Sequence, residues 1–193
     1  MKWVKQSIHY WCPDTKEHKF LGQNVTVAIL DTGISPHPDF KDRILSFRDF
    51  SSTTGSSEKV LFSFSHFSPL IDNSGHGTHV AGILAGSGLL SSGTYAGIAP
   101  FCNLIIGKVL DQNGNGSIKN VINGIQWIRD IYTQFHIRII NISVGTRPDL
   151  SIHQKLLLLN AVESLWDLGL VVVVSAGNYG PAPGSVTVPG SSP

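Results

Sequence analysis

Five short runs of apolar and β-branched residues punctuate this chain, at residues 25–30, 44–50, 104–110, 137–142 and 170–174. Each has the length of a strand and each gives way to Asp or Ser, residues that favour turns. Between the runs the apolar period changes. Ile118, Val121, Ile122, Ile125 and Ile128 recur at helical spacing behind Ser117, which can cap a first turn. Ser151 and Gln154 carry the pattern of a capping box. The helix they open presents Leu156, Leu159, Val162, Leu165 and Trp166 as its apolar residues, and Gly169 is placed to end it. Another helix is predicted to begin at Asn73 or Ser74 as cap. Its first residues, 75–82, are mostly small, as suits close packing on a sheet. The run 170–174 is continuous rather than alternating, the pattern of a strand covered on both faces. Residues 51–57 read as a mobile surface loop and residues 111–116 as a turn-rich connection.

Strands alternating with helices of these lengths predict an α/β fold: a doubly wound parallel sheet with helices on both faces. Reactive groups in such sheets sit just beyond the carboxyl ends of the strands. Asp31, Ser143 and Asn178 all follow predicted strands.

Composition narrows the functional classes. A chain of 193 residues can bury one sizeable core, and 41% hydrophobic with 14% charged residues excludes the disordered class. The net charge is +1 and the Lys and Arg residues are scattered, which argues against nucleic acid or a membrane surface as partner. The longest apolar runs are too short to span a bilayer. No apolar stretch of signal-peptide length follows Met1-Lys2-Trp3, so a cytoplasmic protein is expected unless the start is a processed one. Cys12 and Cys102 lack metal-site spacing. A disulfide between them is one reading and two ordinary thiols the other.

Three segments carry candidate chemistry, and each has a plainer alternative. Asp31, in Asp31-Thr32-Gly33, is a carboxylate at the end of a buried strand, where it needs a partner; alone it reads equally as a turn former. His76 opens a helix between glycines, with room around its ring for a substrate and a carboxylate. His76 and His79 stand three apart, but the Glu of a His-Glu-x-x-His motif and a third ligand are both lacking, so no metal is assigned. Ser175-Ala176-Gly177-Asn178 is, by itself, a strand running into a turn.

Taken together the segments are specific. Asp31-Thr32-Gly33 resembles the aspartate motif of the subtilases, the subtilisin-like serine proteases, and His76-Gly77-Thr78-His79-Val80-Ala81-Gly82 resembles their histidine motif. Ser175-Ala176-Gly177-Asn178 is similar to the segment holding their oxyanion-hole asparagine. The resemblance runs from Val25 to Pro193, behind a strap at residues 1–24. It implies a serine endopeptidase in which His76 moves the serine proton, Asp31 orients the ring and Asn178 donates to the oxyanion. It also implies that Ser143, Val144 and Gly145 line one side of the substrate site. Gly114, Asn115 and Gly116 would line the other, holding a peptide or protein substrate as an added strand.

Departures from the family pattern set further expectations. Residues 85–93 do not obviously provide the calcium-binding insertion of many secreted subtilisins, and residues 111–116 lack the downstream Glu of an EF-hand; calcium remains the one cation the resemblance allows. The family's Gly-Thr-Ser-x-Ala motif does not occur, and Ser191 and Ser192 are not assigned as nucleophile. The chain is therefore expected to be a catalytic domain cut short, inactive alone and poorly soluble, with the missing C-terminal part as a candidate partner. The alternative is a non-catalytic pseudoprotease or peptide-binding module. A nucleotide-binding domain fails on motif, because no Gly-x-Gly-x-x-Gly follows the first strand and no P-loop occurs.

Overall fold

The computed structural model describes residues 2–10, 20–51, 58–60 and 72–192. Cys12 and residues 52–57 lie outside them, so the reading of a disulfide and of the Ser-rich loop falls outside the described residues.

In chain order the regular elements are α1 (Lys2–Ser7), β1 (Thr26–Asp31), β2 (Ile44–Asp49), β3 (Glu58–Val60), α2 (His76–Ala85), β4 (Asn103–Lys108), α3 (Ile118–Ile131), β5 (Ile137–Ile142), α4 (Ile152–Trp166) and β6 (Val171–Val174). The sheet order is β3-β2-β4-β1-β5-β6. β2, β4, β1, β5 and β6 run parallel, and β3 pairs antiparallel with β2 at the edge. The sequence pattern does not anticipate β3, which has only three residues.

β1 is the central strand and is buried along its whole length. Its alternate side chains feed two separate cores. Val27 and Ile29 pack with Ala81 and Ala85 of α2, together with Leu104 and Ile106. Ala28 and Leu30 face the other way, into a core built from Val121, Ile125 and Ile128 of α3 and Leu158, Val162 and Leu165 of α4. Helices thus cover both faces, as the doubly wound pattern requires. The small residues at the start of α2 allow the close approach: a methyl added at Gly77 would run into the Gly33 carbonyl oxygen and press on Asp31.

Both predicted caps on the second face are present. The Ser117 hydroxyl accepts from Asn120 N at 3.1 Å, and Ser151 and Gln154 form the reciprocal capping box. Three details differ from the sequence-based expectation. First, α2 begins at His76 behind Gly75, whose φ of 83° suits glycine, and neither Asn73 nor Ser74 caps it. Of the helix's own orphan N–H groups, that of Thr78 goes to the Asp72 carboxylate and that of Gly77 to the Thr32 hydroxyl, and Asp72 also accepts from Ser74 N and Gly75 N just ahead of the helix. Second, Leu156 and Trp166 of α4 face solvent, and Leu158 takes the core position. Third, β6 is covered on one face only, with Val171 53% and Val173 48% exposed. β6 is an edge strand, and α2 covers the far face of the sheet only near β1.

Candidate active site

In the sheet β1 lies between β4 on one side and β5 on the other, and the site lies beyond the carboxyl ends of these strands. Asp31 is the last residue of β1 and is wholly buried. Its backbone carbonyl accepts from Val109 N and Leu110 N, which anchors the strand end to the continuation of β4. Its Oδ1 accepts from Thr32 N at 2.7 Å and lies 2.7 Å from His76 Nδ1. Oδ2 has no hydrogen-bond donor among the described residues. A buried carboxylate needs compensation, and here Oδ1 takes it from one backbone amide and one imidazole. The arrangement fixes Nδ1 as the protonated ring nitrogen whenever the carboxylate is ionised.

His76, at the first turn of α2, is pinned on its Nδ1 side while 54% of its side chain is exposed. The ring projects into a cleft of about 470 Å³, which Asn113, Gly114, Asn115, Gly116, Ser143, Val144, Gly145 and Asn178 also line. The candidate catalytic and substrate-binding residues therefore meet at one cleft, except Asp31, which stands behind His76. The wall at residues 111–116 is a closed turn. The Asp111 carboxylate accepts from Asn113 N at 2.8 Å and Asn115 N at 2.9 Å, and Asp111 N donates to Asn115 O at 2.7 Å. On the opposite wall the Asn141 amide donates to the Ser143 hydroxyl at 2.7 Å. Asn178 follows Gly177, whose φ of 88° turns the chain. A methyl there would meet the Thr187 hydroxyl.

His79 does not join His76. It borders a separate hollow with His37, Asp39 and Tyr95, and no group of three or more His, Cys, Asp or Glu side chains suited to a metal occurs among the described residues. Of the two segments weighed for calcium, the first donates Gly88 N at 3.1 Å and Leu90 N at 3.3 Å to the Asp39 carboxylate, and in the second Asp111 Oδ1 accepts from its own turn.

Sequence reasoning missed two supports of the cleft. Asp72 accepts five hydrogen bonds at the start of α2. Burial by itself would raise its carboxyl, but donors from Thr78, Thr32 and Gly75 outweigh that and hold it below the ordinary aspartate value. Lys108, buried at the end of β4, donates from Nζ to Thr32 O and to Leu110 O. A signal for each was present: Asp72 is the first of three cap-competent residues, and Lys108 is a charge inside an apolar run.

The model of the subtilase family matches residues 22–193. This chain belongs to the subtilase family. It is 42% identical over 176 residues to the serine protease AprX of Bacillus subtilis (strain 168), a match covering 89% of this chain and 37% of that protein. It is 37% identical over 161 residues to the major intracellular serine protease of the same organism, covering 82% of this chain and 44% of that one. Among solved structures, sphericase superposes with a TM-score of 0.72 at 30% identity, over 88% of this chain and 51% of the other. The chain thus spans less than half the length of these two curated relatives.

Proposed function

We propose that this chain supplies the aspartate, histidine and oxyanion-binding asparagine of a serine-type endopeptidase. The observation that carries the reading is the 2.7 Å contact between Asp31 Oδ1 and His76 Nδ1, with the ring facing a cleft that Asn178 also lines. With Nδ1 held, the ring's second nitrogen is free to accept a proton from a hydroxyl nucleophile and return it to the leaving amine. Asp31 stabilises the imidazolium that forms between those steps. Asn178 donates its side-chain amide to the oxygen on which negative charge develops. Ser143, Val144 and Gly145 on one wall, and Gly114, Asn115 and Gly116 on the other, hold an extended peptide between them.

The nucleophile is a serine contributed from outside these 193 residues, since neither Ser191 nor Ser192 lies in the family's serine motif. The 193-residue polypeptide on its own then hydrolyses peptides at background rate, because the groups of a triad act as a unit. The test is hydrolysis of an unstructured protein by the product of the complete reading frame, with fluorophosphonate labelling to map the reactive serine. Loss of labelling and turnover in His76→Ala supports the proposal. Tight peptide binding with neither labelling nor turnover would favour a peptide-binding module built on the same cleft.

A further inference from the structure

Asp31 and His76 lie on different elements, and their contact depends on how the first turn of α2 is set against the end of β1. Asp72 joins the two. Its Oδ1 accepts from the Thr32 hydroxyl at 2.8 Å, from Gly75 N at 2.9 Å and from Ser74 N at 3.2 Å. Its Oδ2 accepts from Thr78 N at 2.8 Å and from the Thr78 hydroxyl at 2.6 Å. The hydroxyls pass the linkage on, Thr32 Oγ1 accepting from Gly77 N and Thr78 Oγ1 from Ser35 N, both at 2.9 Å. One buried carboxylate therefore holds the residue that follows Asp31 and the residues on both sides of His76.

We infer that Asp72 is a positioning residue for the Asp31–His76 pair, fixing the imidazole through Thr32 on one side and Thr78 on the other. It reaches no cleft-lining position itself, so its action on the ring is indirect. Two features separate this role from ordinary helix capping. A cap needs only the helix's own N–H groups. Asp72 spends two further acceptor positions on threonine hydroxyls, and one of those threonines belongs to the opposite element. The network also sits beside the tight packing of Gly77 on Gly33, where a side chain has no room, so a small displacement passes directly to His76.

This inference rests on the proposed role of the Asp31–His76 pair, and the experiment separates the two. Protein from the complete reading frame, labelled with ¹⁵N at histidine, is followed by NMR at the His76 Nδ1–H signal and its exchange with water. Asp31→Asn tests the pair alone: if the signal is absent from the parent or unaltered by this change, the pair reading fails and this inference with it. With the pair established, Thr32→Val breaks the network without altering charge, removing both the bond to Asp72 and the bond from Gly77 N. Its expected effect is exchange faster by about tenfold or more, the factor that corresponds to two lost hydrogen bonds. Thr32→Ser should restore the parental rate, and Asp72→Asn should exceed the effect of Thr32→Val. A folded Thr32→Val variant with a lowered Tm but unchanged His76 exchange would overturn the inference, leaving Asp72 as a stabiliser of the helix start. The Thr32→Val result decides between the two roles even if Asp72→Asn does not fold.

Discussion

Gly77 of α2 lies against Gly33 of the β1 turn so closely that no side chain fits between them. The 2.7 Å contact of His76 with Asp31 exists because of that approach. Gly77→Ala forces a methyl onto backbone, which cannot rotate away. We expect a loss of about 1–3 kcal/mol, the usual cost of overpacking, read as a lower denaturant midpoint. The His76 Nδ1–H signal should weaken in the same variant.

Asp72 makes stability depend on acid. Its carboxyl is held below the ordinary value in the folded chain, so the stability it contributes is fully present above the unfolded value of about 3.9. That contribution is lost as pH falls through the lower folded value. Thermal unfolding followed from pH 6 downward should show Tm falling in this acid range, and the fall should be shallower in Asp72→Asn.

Lys108 ties the turn after Asp31 to the start of the 111–116 wall through Thr32 O and Leu110 O. Lys108→Met keeps the apolar stem and strands two buried acceptors. The expected cost is about 1–3 kcal/mol for each acceptor left unpaired, measured by urea unfolding. Amide exchange at Asn113 and Asn115 should accelerate together. Unchanged exchange there would mean that the lysine does not brace the wall.

Cys102 is buried, and burial pushes its thiol up to about 11, with the Arg43 guanidinium offsetting part of the rise. At pH 8 the thiolate is then a fraction of roughly one in a thousand. Alkylation under native conditions, followed by peptide mapping, should leave Cys102 unmodified. In denaturant it should react fully.

Val171 and Val173 expose an apolar strip on β6. Sedimentation velocity of the 193-residue polypeptide should show association, and replacing both with Lys should reduce it. A monodisperse parental monomer would contradict this expectation.

Much of this molecule could be read without coordinates, because local chemistry fixes local structure. Ser117, Ser151 and Gln154 cap their helices through bonds that span only three residues, and the run 137–142 forms a strand with those same limits. Asp31, His76 and Asn178 stood out as candidates because short motifs pair each polar group with the turn that presents it. What the sequence left open were relations between distant segments. Whether Val171 and Val173 are covered depends on where α2 ends up, not on their own composition. Leu158 rather than Leu156 enters the core that α4 shares with α3 and β1, which their own sequence surroundings do not decide. Asp72 looks in sequence like one cap-competent residue among three, and only the tertiary structure brings Thr32, forty residues away, within reach of its carboxylate. Hydrophobic period and capping act within a few residues, so a sequence displays them. A buried carboxylate draws its partners from anywhere in the chain, so folding alone decides them.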